Sequence, residues 1–147
     1  MKLHHLTPRA TRSGASLILG IVLGLGLSLQ AAEKLDPTKL PPPSSKKGLT
    51  FGKDIKPILE KSCVKCHSGD KAKGKLHLDT RESALKGGES KEAAIVPGKS
   101  GQSHLLFNAA DLVADMEMPP TKKRDTFPAL TKDQIGLLRA WIDQGAK

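Results

Sequence analysis

Apolar positions fall in blocks along this chain, and each block predicts one element. The first is Leu17 to Leu29, LILGIVLGLGLSL, 13 residues without a charge. It follows a basic start (Lys2, Arg9, Arg12) and precedes Gln30-Ala31-Ala32, small residues suited to a signal peptidase. A basic start, a short apolar stretch and a small-residue exit predict a secretory signal over residues 1–32. The run falls short of the roughly 20 residues of a spanning helix, so a retained anchor is the alternative and a polytopic membrane protein is excluded. The arginines are not adjacent and no cysteine lies near Ala31, so a twin-arginine signal and a bacterial lipid anchor are unsupported. The expected location is the periplasm or another exported compartment, with no stable membrane insertion after cleavage.

Residues 33–48 carry no apolar period. Leu35 to Lys47 reads LDPTKLPPPSSKK. Pro41, Pro42 and Pro43 favour an extended path, and Ser44 to Lys47 have nothing to bury. This stretch is expected to be a tether, with the folded unit, residues 49–147, beginning near Leu49. There a helical period takes over: Phe51, Ile55, Ile58 and Leu59 recur at helical spacing. Pro57 suits a first turn, and Asp54 is the expected N-cap. At the far end Thr131-Lys132-Asp133-Gln134 reads as a capping box. It opens a helix whose Ile135, Leu138, Trp141 and Ile142 form one apolar face, with Gly145 as the stop. These two helices are expected to cross and pack. Between them, Asp79 to Glu82 cap a short helix over Ser83 to Lys86, stopped by Gly87-Gly88. Ser103 to Ala110 predicts another helix, and Ile95-Val96-Pro97-Gly98 a type II turn. The expected fold class is all-α.

Composition narrows what so small a helical unit can be. Aromatic residues make up 3%, with one Trp, three Phe and no Tyr. Few large side chains are available to fill a core, so a non-protein group is expected to help fill it. The formal charge is +9, and losing Lys2, Arg9 and Arg12 with the signal leaves +6. An exported chain rarely meets DNA, and no basic stripe is interleaved with aromatics, so nucleic acid is not an expected partner. The lysines either keep the protein soluble or steer it onto an acidic partner.

The two cysteines lie in Ser62-Cys63-Val64-Lys65-Cys66-His67, a C-x-x-C-H. That pattern reads as a c-type haem attachment site. Positions i and i+3 of a helical turn face the same way, so both thiols can reach the two vinyl groups on one porphyrin edge. His67, directly after Cys66, is placed to bind the iron as proximal ligand. The competing readings ask for more than the chain offers. A structural zinc site needs a fourth ligand from His77 or His104. A thioredoxin-like pair needs a βαβ context, and a disulfide here closes too small a loop to stabilise much. One covalently bound haem c also accounts for the scarcity of aromatics.

The second axial ligand has a short list. Apart from Met1, methionine occurs only at Met116 and Met118, in Ala114-Asp115-Met116-Glu117-Met118-Pro119-Pro120. A thioether is a soft ligand that raises the reduction potential of haem iron. In an extended segment these two side chains sit roughly 7 Å apart, so one alone can meet the iron. Met118 is the expected ligand, because Pro119 and Pro120 stiffen the loop and reduce the entropy lost in fixing it. Met116 is expected to fill space. His77 and His104 are the remaining candidates, although isolated histidines are more often surface residues.

In chain order, FGKDIKPILEKSCVKCH, KGKLHLDTRESALKGGES, AIVPGKSGQSHLL, MPP and LTKDQIGLLRAWIDQGA resemble the planctomycete-type cytochrome c domain, over about Phe51 to Ala146. The resemblance implies a class I cytochrome c-like fold, with N- and C-terminal helices packed around one covalently bound haem. It implies Cys63 and Cys66 as attachment residues and His67 and Met118 as axial ligands. Lys75 departs from it, standing where a second glycine is expected. Such domains are often fused to larger regions, and a chain ending at Lys147 is expected to be a mobile carrier. The implied function is electron transfer with redox partner proteins, and no catalytic constellation accompanies the haem motif. The alternative is a haem-based sensor of small ligands, or a subunit feeding electrons to a larger redox enzyme.

Overall fold

The computed structural model describes residues 35–90 and 92–147, so the signal expected over residues 1–32 lies outside the described residues. Among the described residues there are four α-helices and no strand: α1, Lys56–Ser62; α2, Arg81–Lys86; α3, His104–Ala109; and α4, Lys132–Asp143. Single 3₁₀ turns lie at Pro37–Lys39, Lys73–Lys75, Ser100–Gln102 and Thr121–Lys123. A wider π-type turn, Phe51–Ile55, leads into α1. The fold is all-α. None of these helices is long and apolar enough to cross a membrane.

The longest helix, α4, starts where its capping box predicts. Gln134 N–H donates to Thr131 Oγ1 at 3.2 Å, and Thr131 N–H donates to Gln134 Oε1 at 2.9 Å. Gly145, with φ +94°, ends the segment in left-handed backbone. Leu138, Trp141 and Ile142 are completely buried and Ile135 nearly so. Burying side chains of this size contributes about 1.5–3 kcal/mol each, far more than propensity does over the same turns.

The helix before the cysteine motif meets α4 through its opening turn. The Phe51 and Trp141 rings lie 5.8 Å apart, tilted by 49°. Ile55 and Leu59, further along, are completely buried. Asp54 is not the N-cap. The helical turn already begins at Phe51, so Asp54 lies inside it and accepts from Thr50 N–H at 2.9 Å. Lys46 Nζ donates to the same carboxylate. That bond, ahead of the one from Thr50, holds the Asp54 carboxyl below the usual carboxylate range.

The proline-rich stretch is packed, not free. Leu40 is buried in the core. Arg139, on α4, donates to Leu40 O at 3.3 Å and to Pro41 O at 2.8 Å. Ser44 N–H donates to Gly136 O at 2.9 Å, and Gln144 Nε2 to Lys46 O at 2.8 Å. The physical reason is that an extended proline segment has free carbonyls, and α4 presents donors to them. Gly136 permits the approach, since a Cβ there would lie 2.6 Å from Pro42 O. The folded unit therefore includes residues upstream of Leu49.

The middle elements match their capping signals closely. Thr80 caps α2 by accepting from Ser83 N–H at 3.2 Å, so the helix starts at Arg81, two residues earlier than predicted. Gly87 ends it with φ +78°. The turn at Val96 is closed by Lys99 N–H on Val96 O at 2.9 Å, with Gly98 at φ +78°, as a type II turn requires. α3 lies inside its predicted span.

Candidate haem site

The chain leaves α1 at Cys63 and passes through the cysteine motif in hydrogen-bonded turns. Cys63 N–H donates to Leu59 O at 2.7 Å, Cys66 N–H to Cys63 O at 3.1 Å, and His67 N–H to Cys63 O at 3.0 Å. These helical turns bring Cys63, Cys66 and His67 to one cavity of about 760 Å³. Cofactor pockets run from about 300 to 1,000 Å³. Leu59, Leu78, Leu105, Phe127 and Leu130 give the cavity apolar walls, and Met116 and Met118 both line it. His104 lines it too, with its Nε2 3.1 Å from Glu92 Oε2, whereas His77 is not among the lining residues.

The protonation of His67 follows from its partner. Nδ1 lies 3.1 Å from Lys73 O, and a carbonyl can only accept, so Nδ1 carries the proton. Burial lowers the pKa of the ring, which keeps it neutral. Nε2 is then left with a free lone pair, the form in which imidazole ligates a metal. The Lys73 carbonyl is itself fixed by the turn Lys73–Lys75, whose Lys73 N–H returns to Cys66 O at 2.9 Å. Burial, and secondarily Cys66, pushes the Cys63 thiol up to about 12. It therefore joins the cavity wall as a neutral group.

The two methionines are held differently. Met118 N–H donates to Asn108 O at 2.9 Å, and Met118 is half-buried, followed by a buried Pro119. Met116 is 48% exposed, the one large apolar side chain so exposed among the described residues. Asn108 was not legible as a site residue. One signal does point to it: His104, Leu105, Asn108 and Ala109 share a helical face by their spacing, and all four line the cavity. The role of Lys73 had no signal, because its carbonyl looks like any other.

The chemistry of this donor set suits haem. An imidazole, thioether sulfurs and two thiols are intermediate to soft donors around an apolar space of cofactor size. Asn108 Oδ1 is buried without a hydrogen-bond partner in the protein. Such an orphan costs about 1–3 kcal/mol unless a donor reaches it. Sequence comparison gives the class first, a c-type cytochrome segment within the chain. The family described as Planctomycete cytochrome C matches residues 63–122, and that segment is a planctomycete-type cytochrome c domain. The match takes in both cysteines, His67 and the Met116–Met118 segment. No curated protein and no solved structure matches the chain.

Proposed function

We propose that the protein is an exported electron carrier with one haem c, joined through thioethers to Cys63 and Cys66 and ligated by His67 and Met118. The observation that carries this reading is the single cavity on which all four residues meet. When bound, haem supplies a one-electron ferric/ferrous couple. The chain supplies everything else. The Lys73 carbonyl fixes the tautomer and orientation of His67. The Leu and Phe walls exclude water from the cavity. Met118 is favoured over Met116 because its backbone is pinned to Asn108 and its side chain is less exposed. With both axial positions filled no substrate is bound, so the protein's tasks are ligation, burial and docking to a redox partner.

The test is spectroscopic. Haem should stay with the polypeptide through acid-acetone extraction, and Cys63→Ala or Cys66→Ala should weaken that attachment. A thioether on ferric haem gives a weak long-wavelength charge-transfer band. Met118→Ala should abolish it, lower the reduction potential and open the reduced iron to carbon monoxide. Met116→Ala should leave all three nearly unchanged. Loss of the band in Met116→Ala with retention in Met118→Ala would reverse the assignment. Carbon monoxide binding by the unmodified reduced protein would instead favour a small-ligand sensor.

A further inference from the structure

Nothing in the sequence pattern singles out Arg124, yet it ties together the two ends of the methionine loop. Its Nε donates to Pro119 O at 3.0 Å. Its Nη1 and Nη2 donate to Asp111 Oδ2 and Oδ1 at 2.9 and 2.6 Å. Two parallel bonds from a guanidinium to a carboxylate form a planar fork, stronger and more directional than a single-point ion pair. Asp111 lies just beyond α3 with φ +58°, and Asp115 takes the same left-handed backbone at φ +61°. The chain from Asp111 to Pro119 is therefore sharply bent, and one guanidinium joins its start to its end. Met118 sits just inside that closure, with its N–H on Asn108 O.

We infer that Arg124, gripped by Asp111, is a positioning residue that holds the Met118 loop against the cavity; this rests on Met118 being the sulfur ligand proposed above. The physical argument concerns the loop's freedom. A sulfur ligand stays on its metal only while the segment carrying it stays put, and the prolines stiffen that segment without attaching it to anything. Arg124 adds a side-chain attachment to the main-chain bond that Met118 N–H makes to Asn108 O. The Asp111 side chain is 42% exposed, so the ion pair by itself is partly screened. The bond to the carbonyl of the buried Pro119 is charge-assisted and more protected. The fork's task is to keep Arg124 aimed at that carbonyl.

The experiment follows imidazole binding to the ferric haem protein through loss of the thioether band, because imidazole enters only after Met118 leaves. Arg124→Leu should raise the binding rate by about tenfold, the scale of one lost charge-assisted hydrogen bond. Arg124→Lys keeps the charge without the fork and should fall between. Asp111→Asn is compatible with left-handed backbone and should accelerate binding more modestly. Combined with Arg124→Leu it should add nothing, as expected of two residues acting as one unit. Arg139 is the control, since it too holds backbone carbonyls, but those of Leu40 and Pro41, which contribute nothing to the cavity lining. Arg139→Leu should lower thermal stability and leave the imidazole rate unchanged. Should Arg124→Leu not fold, Arg124→Lys and Asp111→Asn decide the matter. Unchanged rates in the Arg124 and Asp111 variants would overturn the inference, as would an equal acceleration from Arg139→Leu. If Met118→Ala leaves the band in place, the ligand assignment has failed first, an outcome distinct from either of these.

Discussion

Lys75 is a residue whose backbone asks for a different side chain. Its φ is +50°, in the left-handed region, within the turn whose Lys73 carbonyl orients His67. For an L-residue that conformation costs roughly 1–2 kcal/mol, and glycine avoids it at the expense of about 0.5–1 kcal/mol of extra unfolded-state freedom. The Lys75 ion pair to Glu89, at 3.4 Å, is exposed on both sides and worth little. Lys75→Gly should therefore stabilise the fold by up to about 1 kcal/mol, seen as a higher melting temperature at unchanged spectrum. A lower melting temperature would mean that the ion pair outweighs the strain. The resemblance to the cytochrome family implies glycine at this position, and the strain at Lys75 agrees with that. Cys63, Cys66, His67 and the two methionines were legible as candidates that one cavity brings together, because their side chains are the donors that the proposed haem would need. The partners that fix them were hidden for a physical reason. Lys73 and Asn108 act on His67 and Met118 through main-chain carbonyls, which every residue has.

At the scale of elements, caps and apolar periods read reliably where helices hold themselves together. Thr131 with Gln134, and Thr80 with Ser83, make the bonds their spacing predicts. The segment before Leu49 read wrongly because nothing periodic holds it. It is fixed by Arg139, Gly136 and Gln144, all on or next to α4 and some 90 to 100 positions away along the chain. Gly136 makes that dependence testable. In an ordinary helix interior Gly→Ala stabilises by about 1 kcal/mol. Here the added methyl would lie 2.6 Å from Pro42 O, and a backbone oxygen cannot move aside without unseating the segment from α4. Gly136→Ala should accordingly lower the melting temperature despite the gain in propensity, and Ser44 N–H should lose its protection from hydrogen exchange. A stabilised variant would show that the segment is only loosely seated.

Over the whole molecule, the chain's surplus of positive charge would matter for the proposed electron transfer only where it lies near the haem cavity. At about 0.1 M salt, charges separated by more than about 10 Å are largely screened. The full-chain value of +9 therefore says less than the rim of the cavity does. Lys65, Lys73 and Lys123 line that rim, and so do Glu89 and Glu92. Lysine outnumbers acid there, which favours approach by an anion or an acidic protein surface. Oxidation of the ferrous protein by anionic hexacyanoferrate should slow as salt rises, while reduction of the ferric protein by cationic hexaammineruthenium should quicken. Lys65→Glu combined with Lys123→Glu tips the rim to net negative and should flatten or reverse both trends. Lys132→Glu changes the total charge too, but at the start of α4 and outside the cavity lining, so both slopes should stay nearly as they were. Slopes that follow total charge regardless of position would leave the lysines a role in solubility alone. If rim position decides them, charge steers partners to the mouth of the cavity.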